Sequence, residues 1–209
     1  MRGKFITVEG GEGVGKSTNI DVIKSFLEDR NIPFIQTREP GGTPVAEKIR
    51  QLLLDNHSEP VDSTAELLLM FAARSQHLKT LIEPALEKGT WVLCDRFTDA
   101  TYAYQGAGRQ LGSELIGRLE DIVQGSLRPD LTVILDLDPK IGLQRASERG
   151  DLDRIEQEQV EFFNAVRACY LSIAENNPER CIVIDASAER AQVKSDLLSA
   201  LDAWVDRNS

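Results

Sequence analysis

The chain has 209 residues, of which 41% are hydrophobic and 28% are charged, and its formal net charge is −10. These values predict one globular domain over residues 1–209, and the apolar runs are too short and too interrupted by charge to cross a bilayer. The negative charge repels polyanions beyond a Debye length of about 8 Å, which argues against DNA or RNA as a partner.

The N-terminus and the cysteines bear on the cellular compartment. Residues 1–4 lead straight into a short apolar segment, without the apolar core and cleavage site of a secretory signal. Cys94, Cys169 and Cys181 are spaced too widely and irregularly for a disulfide framework or for zinc-ligand pairs. We therefore expect a cytoplasmic protein.

Short apolar runs alternate with longer amphipathic segments along the chain. We expect five strands, at residues 5–8, 34–37, 91–94, 131–137 and 181–184. The longest helical pattern covers residues 64–87, where Pro84 is expected to bend or end the helix, and a last amphipathic helix covers residues 188–205. Such alternation predicts an α/β protein in which helices cover both faces of a parallel sheet.

The strongest motif follows the first predicted strand. It reads Gly10-Gly11-Glu12-Gly13-Val14-Gly15-Lys16-Ser17, a complete G-x-x-x-x-G-K-S at the start of a predicted helix that continues with Thr18. The glycines let successive N–H groups converge on phosphate oxygens, while Lys16 can reach the β- and γ-phosphates and Ser17 can bind Mg²⁺. We therefore predict an ATP site at residues 10–18, rather than a glycine turn that only caps a helix.

The motifs of a GTPase switch, N-K-x-D and D-x-x-G, do not occur in the sequence. Other short segments occur in a fixed order instead. They are Arg38-Glu39-Pro40-Gly41-Gly42, Phe71-Ala72-Ala73-Arg74, Asp95-Arg96-Phe97, Tyr104-Gln105-Gly106 and Leu152-Asp153-Arg154-Ile155-Glu156. Together with the phosphate loop, this ordered set resembles the thymidylate kinase family over nearly the whole chain. It is similar to the bacterial form, whose phosphate loop lacks an arginine and whose lid carries basic residues.

The resemblance implies a three-layer P-loop fold with a five-stranded parallel sheet and a short lid at about residues 145–156. It implies ATP-dependent phosphorylation of dTMP to dTDP with Mg²⁺ as cofactor, and a homodimer. The acceptor phosphate has a second pKa of about 6, so it is already a nucleophile at neutral pH and no general base is needed. Catalysis then consists of placing two polyanions in line and cancelling their charge.

The resemblance also assigns roles around the transferred phosphate. Asp95 is expected beside Ser17 in the magnesium shell, with Asp136 ranked second for that role. Arg96 would bind the acceptor phosphate, helped by Arg38. The lid arginines Arg149 and Arg154 would join Lys16 in catalysis, with Arg145 against adenine and Glu12, Asp153 and Glu156 orienting the arginines or the substrate. A structural ion pair at Asp95-Arg96 and a solvated charged helix end at the lid are the alternatives.

For the acceptor nucleoside, the resemblance places Phe71 on the thymine ring and Arg74 on its O4. Thr101 and Gln105 would line the base pocket, and Tyr104 would crowd C2′ and so disfavour a ribose hydroxyl. From the residues alone, Phe71 could be core, which is the commoner place for an aromatic at helical spacing, and Arg74 a solvated arginine with a buried stem.

Two other functions remain open from the sequence. One is a P-loop kinase that acts on a nucleoside or on a different monophosphate. The other is an ATP-gated binding module that changes conformation and transfers no phosphate.

Overall fold

The computed structural model describes residues 2–148, 150 and 152–208. Its strands are β1 (Phe5–Glu9), β2 (Phe34–Arg38), β3 (Trp91–Asp95), β4 (Leu131–Asp136) and β5 (Cys181–Asp185). They form one parallel sheet in the order β2-β3-β1-β4-β5. The five strands, their positions and their parallel arrangement confirm the α/β prediction.

Helices connect the strands and cover the sheet. The α-helices are α1 (Lys16–Asp29), α2 (Pro44–Leu54), α3 (Ser63–His77), α4 (Glu83–Glu87), α5 (Thr98–Thr101), α6 (Ser113–Gln124), α7 (Pro139–Ser147), α8 (Val160–Asn176) and α9 (Arg190–Asn208). Two π-helical segments, Leu78–Ile82 and Tyr102–Gly108, continue α3 and α5. None of the helices in the described part of the chain is long and apolar enough to span a membrane.

The core forms two layers because successive strand residues point to opposite faces of the sheet. In β1, Ile6 and Val8 pack into a cluster with the apolar sides of α1 and α9. Phe5 points to the opposite face and packs with Leu78 and Ile82. The sheet is therefore buried between two helical layers, which confirms the three-layer architecture.

Pro84 does not end the long helix that the sequence predicts at residues 64–87. The chain passes from α3 through the π-helical segment Leu78–Ile82 into α4, with Pro84 in the first turn of α4. The Glu83 amide donates to the Leu78 carbonyl five residues earlier. The wider π turn accommodates the proline ring, which would clash with a carbonyl in a regular α-helix.

The strand register gathers the motifs at one edge of the sheet. Asp95 is paired with Val8 of β1 on one side and with Arg38 of β2 on the other. The phosphate loop follows β1 directly. In open parallel sheets, ligands bind outside the carboxyl ends of the strands, where the strand order reverses.

Candidate active site

A cleft of about 1100 Å³ opens at this edge. A pocket for one small ligand typically measures about 300–1,000 Å³, so the cleft lies above the upper end of that range. Residues 12–18 line one side, which we call the phosphate end together with Gly10 and Gly11. Gln105 also borders the cleft, whereas Arg74 and Thr101 are buried and do not border it; we call these three residues the base end.

Backbone geometry shapes the phosphate end. Gly10, Gly13 and Gly15 adopt φ values of 137°, 66° and 88°, which side chains rarely allow. Lys16 Nζ donates to the carbonyl oxygens of Gly10 and Gly11 at 3.1 and 2.7 Å. Burial, with the charge of Arg96, lowers the pKa of Lys16 to about 8. The loop thus holds a desolvated ammonium group against its own carbonyl oxygens, and backbone N–H groups in such loops bind phosphate.

The phosphate loop also touches the helix that leads toward the predicted lid. A Cβ on Gly13 would lie 2.0 Å from the Gly142 carbonyl oxygen, and a Cβ on Gly142 would lie 2.2 Å from the Glu12 carbonyl oxygen. Two glycines therefore allow the loop and α7 to pack backbone against backbone. Any side chain at either position would separate them.

Three predicted site residues meet in the middle of the cleft. Arg96 Nη2 donates to Glu12 Oε1 at 2.6 Å and to the Tyr104 hydroxyl at 3.2 Å, and that hydroxyl donates to the same Glu12 oxygen at 2.8 Å. Arg96 adopts φ 65°, an uncommon value for a residue with a side chain. Burial alone would lower the pKa of Arg96, but the charges of Glu12 and Tyr104 raise it on balance, so the guanidinium stays charged.

A buried carboxyl group lies beneath this cluster. Glu9 is fully buried, and its carboxyl oxygens accept from the Phe97 amide at 2.6 Å and the Tyr170 hydroxyl at 2.8 Å. Burial and the charge of Asp99 raise the pKa of Glu9 to about 8. Because Phe97 follows Arg96 directly, this contact helps to hold Arg96 in its strained conformation.

The two candidate metal carboxylates differ in their partners. Asp95 lines the cleft together with Ser17, and its Oδ1 is buried without a hydrogen-bond partner among the described residues. Asp136 is paired with Arg167 through both oxygens, at 2.7 and 2.8 Å. A free oxygen at Asp95 suits a cation, whereas the Asp136 carboxylate already has a charged partner.

The cleft beside Asp95 is lined by three arginines, Arg38, Arg50 and Arg96. Arg38 pairs with Glu47 at 2.8 Å and is half exposed. Arg50, which the sequence analysis did not single out, donates to the Pro40 carbonyl at 2.9 Å. Burial, followed by the charges of Arg38 and Arg96, lowers the pKa of Arg50. This convergence of positive charge is a site for an anion.

The base end is held by a buried ion pair. Arg74 Nε donates to Glu39 Oε2 at 2.7 Å, and Arg74 Nη2 donates to Thr101 Oγ1 at 2.9 Å. The second Glu39 oxygen lies 3.0 Å from His77 Nδ1. Gln105 lies one helical turn after Thr101 and borders the cleft. The Arg74 guanidinium is thus fixed on two sides.

Phe71 is almost fully buried, at 2% exposure, and packs with Leu67 and Ile116. It does not border the cleft, and the Arg74 guanidinium carbon lies 4.9 Å from the centre of its ring. Its stacking on thymine stays a prediction. What the structure shows is an aromatic support for Arg74.

The predicted lid residues differ in whether they border the cleft. Arg145 borders the cleft with Asp153 and Glu156, whereas Arg149 lies outside the described residues. Arg154 does not border the cleft, because its guanidinium is held at 2.6 Å by the buried Glu66 and at 2.9 Å by the Leu53 carbonyl. Its contact with the transferred phosphate stays a prediction.

Four buried side-chain atoms have no hydrogen-bond partner in the described part of the chain, and all four belong to predicted site residues. They are Arg74 Nη1, Asp95 Oδ1, Arg96 Nε and Gln105 Oε1. Buried polar groups in native proteins are nearly always satisfied, so each of these atoms calls for an explanation. A ligand between them supplies one.

Sequence reasoning missed Arg50, Glu9 and the Glu39–His77 contact. Arg50 has no motif position in α2. Glu9 reads as the polar end of a strand, and its burial follows only from packing against α8. His77 follows Arg74 on the same helix by three residues, which hinted at a shared face, but its partner Glu39 lies 38 residues away.

The comparisons with known proteins agree with this geometry. A family model described as thymidylate kinase matches residues 8–197. The thymidylate kinase of Teredinibacter turnerae is 60% identical over 205 residues, covering 98% of this chain and 100% of the relative. The thymidylate kinase of Ectopseudomonas mendocina is 55% identical over 206 residues, covering 99% of this chain and 98% of the relative. The crystal structure of thymidylate kinase from Ehrlichia chaffeensis matches with TM-score 0.77 at 33% identity, covering 97% of this chain and 99% of that one. The chain therefore belongs to the thymidylate kinase family.

Proposed function

We propose that the cleft holds ATP and dTMP for direct, in-line phosphoryl transfer, the step by which a member of this family converts dTMP to dTDP. The chain is an ATP-dependent kinase acting on dTMP, and the proposal concerns how its residues do this. The four unpartnered atoms at Arg74, Asp95, Arg96 and Gln105 are the observation that carries it. They supply one donor and one acceptor at the base end, and one donor and one acceptor near the phosphates.

At the phosphate end, the backbone of residues 10–16 binds the ATP phosphates, with Ser17 and Thr18 at the start of α1. Lys16 leaves the carbonyls of Gly10 and Gly11 for phosphate oxygens, whose negative charge stabilises its ammonium form. This explains why a lysine whose pKa is lowered to about 8 is useful here. Its positive charge is present when the polyanion is bound, while its burial excludes water from the transfer.

Ser17 and Asp95 are the residues that would hold Mg²⁺. The free Asp95 oxygen and the Ser17 hydroxyl line the same cleft, and oxygen ligands from one carboxylate plus phosphates are what this ion prefers. Bound there, the ion would neutralise negative charge on the phosphates. Asp136 is not assigned this role, since Arg167 occupies both its oxygens.

On the acceptor side, Arg96 binds the phosphate of dTMP, helped by Arg38 and Arg50. The unpartnered Arg96 Nε is one donor for that phosphate. Glu12 and Tyr104 fix the guanidinium from the other side, at 2.6 and 3.2 Å. The bulk of Tyr104 in the same place favours a deoxy sugar by excluding a 2′-hydroxyl.

At the base end, Arg74 Nη1 donates to O4 of thymine and Gln105 Oε1 accepts from N3–H. Cytosine presents the opposite polarity at both positions, with an amino group at C4 and a bare N3. A site that leaves buried polar atoms unpaired rejects such an analogue strongly. Thr101 holds Arg74 in place through its hydroxyl, and the Phe71 ring packs against the Arg74 guanidinium.

We further propose that residues 145–156 act as a lid over the cleft, within a single domain that spans residues 1–209. Arg145 borders the cleft already, and Arg149 and Arg154 are the remaining candidates for contact with the transferred phosphate. Closure would exclude water and limit wasteful hydrolysis of ATP.

A homodimer is part of the proposal. Leu68 on α3 is 51% exposed and Ile122 on α6, which packs against α3, is 79% exposed, and neither residue borders the cleft. These two helices are the part of the protein where we expect the contact. We place the protein in the cytoplasm, whose reducing conditions suit its three free cysteines.

The activity is tested by measuring ADP release from ATP and Mg²⁺ with dTMP, dUMP, dCMP, dGMP, dAMP and thymidine offered separately. Strong dependence on dTMP is expected. Preference for thymidine or another monophosphate would overturn the base-end assignment while leaving the phosphate end intact. ATP binding without any acceptor-dependent turnover would favour the binding module.

The metal assignment is tested with a matched pair of variants. Asp95→Asn is expected to raise the Mg²⁺ concentration needed for half-maximal rate. Asp136→Asn, the same change at the end of β4, is expected to leave that concentration unchanged. The reverse result would transfer the metal role to Asp136.

A further inference from the structure

Glu66 is a buried carboxylate that none of the site assignments uses. It lies in α3 at 1% exposure and accepts from three different side chains. Gln105 Nε2 donates to Oε1 at 2.8 Å, Arg154 Nη2 donates to Oε2 at 2.6 Å, and Arg109 contacts both oxygens at 3.3 Å. This residue therefore links a side chain of the base end to two arginines outside it.

The two arginines keep Glu66 ionised. Burial on its own would raise the pKa of Glu66, but the hydrogen bonds from Gln105 and Arg154 and the charge of Arg109 lower it on balance. Arginine does not lose its proton in proteins, so this pairing persists across the physiological pH range. An ionised carboxylate has no proton to donate and can only accept hydrogen bonds.

The orientation of the Gln105 amide follows from that fact. Only the NH₂ group of Gln105 can satisfy a carboxylate, so Nε2 faces Glu66 and Oε1 faces the other way. Gln105 is 1% exposed and borders the cleft, and its Oε1 has no partner among the described residues. A glutamine without such an anchor can rotate by half a turn and offer either a donor or an acceptor.

We propose that Glu66 is a positioning residue that sets the hydrogen-bond polarity of the base end, by locking Gln105 as an acceptor toward a pyrimidine with an N3–H group. The inference rests on the proposed function. Thymine and uracil carry a proton at N3, and cytosine does not. Without the lock, the amide could turn its NH₂ group to the N3 of cytosine, and one element of base discrimination would be lost.

The test compares kcat/KM for dTMP and dCMP in a double-mutant cycle. Glu66→Gln keeps the shape of the side chain but can accept or donate, so both orientations of Gln105 become accessible. Its dTMP/dCMP ratio is expected to fall about 10- to 100-fold, as for one unsatisfied buried group. Gln105→Met can neither donate nor accept, and a fall of similar size is expected there. Since Glu66 acts through Gln105, the double variant should match Gln105→Met alone.

Arg109→Lys is the matched control, because it disturbs the same cluster and leaves both the carboxylate and its contact with Gln105. It should keep the dTMP/dCMP ratio of the wild-type enzyme even if it lowers stability. A wild-type dTMP/dCMP ratio in folded Glu66→Gln would overturn the proposal. So would a double variant whose ratio falls by the product of the two single-variant effects.

Should Glu66→Gln fail to fold, an unchanged dTMP/dCMP ratio in Gln105→Met would by itself overturn the proposal. Failure of the wild-type enzyme to use dTMP would instead refute the proposed function. The two failures are therefore distinguishable.

Discussion

The phosphate end and the base end of the cleft are built in different ways. The phosphate end is a contiguous loop whose shape comes from glycines at positive φ, and its one ammonium group, Lys16, bonds to carbonyls of the same loop. The base end is an ion pair between Arg74 and Glu39, residues 35 positions apart, each at most 3% exposed. Residues of the phosphate end can therefore be changed without loss of the fold, whereas residues of the base end also stabilise the core.

The difference has an energetic cause. Removing one partner of a buried ion pair leaves an uncompensated charge in a medium of low polarity, which is costly. Removing a lysine whose pKa is already lowered by burial relieves a desolvation penalty and loses only local hydrogen bonds. Mutations at the base end should therefore reduce both stability and recognition, whereas those at the phosphate end should reduce turnover alone.

The largest effect on stability is expected at Glu39. Glu39→Gln removes the charge that pairs with Arg74 and faces His77, so the free energy of unfolding should fall by about 3–5 kcal/mol. Urea unfolding followed by circular dichroism measures this. Glu114→Gln, on an exposed helical pair with Arg118, is the matched control and should change stability by less than about 0.5 kcal/mol. Equal small effects in both variants would contradict the buried-pair account.

The largest effect on turnover is expected at Arg96. Arg96→Ala removes the donor for the acceptor phosphate, and kcat should fall by about 10²- to 10³-fold, as for a lost transition-state donor. The fold should persist, because Glu12 keeps its bond from Tyr104 and remains partly exposed. Coupled ADP release gives the rate, with Arg118→Ala at the surface as control. Near-normal turnover in a folded Arg96→Ala enzyme would refute the role.

Glu9 predicts a dependence of stability on pH. Its pKa is about 8 in the folded chain and near 4.5 when unfolded, so the folded state binds one more proton between these values. Over that range the wild type should lose about 1.4 kcal/mol of stability per pH unit relative to Glu9→Gln, a permanently neutral mimic. Urea unfolding of both proteins from pH 5 to pH 8 measures the difference. A constant difference would show that Glu9 is ionised throughout.

The smallest effect is expected at Glu47, which holds Arg38 in a half-exposed pair. Because solvent screens such pairs, Glu47→Gln should change the free energy of unfolding by less than about 1 kcal/mol. KM for dTMP should rise modestly, since Arg38 would be less well placed. Steady-state kinetics across dTMP concentrations would show it, and a loss of kcat as large as that of Arg96→Ala would contradict the supporting role.

The same contrast explains what could be predicted from the sequence. The phosphate loop, the five strands and the Asp95-Arg96 pair are local patterns, so their residues and their place at the sheet edge follow from motif and periodicity. The Glu39–Arg74–His77 contact joins two distant segments, and Glu66 meets Gln105 and Arg154 only because α3 packs between them. Apolar periodicity predicts that a position is buried, but it does not predict which polar partner meets it there.

One comparison tests the central claim that the two ends differ in this way. Lys16→Met and Arg74→Met remove one positive charge each, and both proteins can be measured for kcat/KM with dTMP and for free energy of unfolding. We predict severe loss of activity in both. The free energy of unfolding should stay within about 1 kcal/mol of wild type for Lys16→Met and fall by about 3–5 kcal/mol for Arg74→Met. Equal destabilisation of the two variants, or an Arg74→Met protein as stable as wild type, would contradict the account.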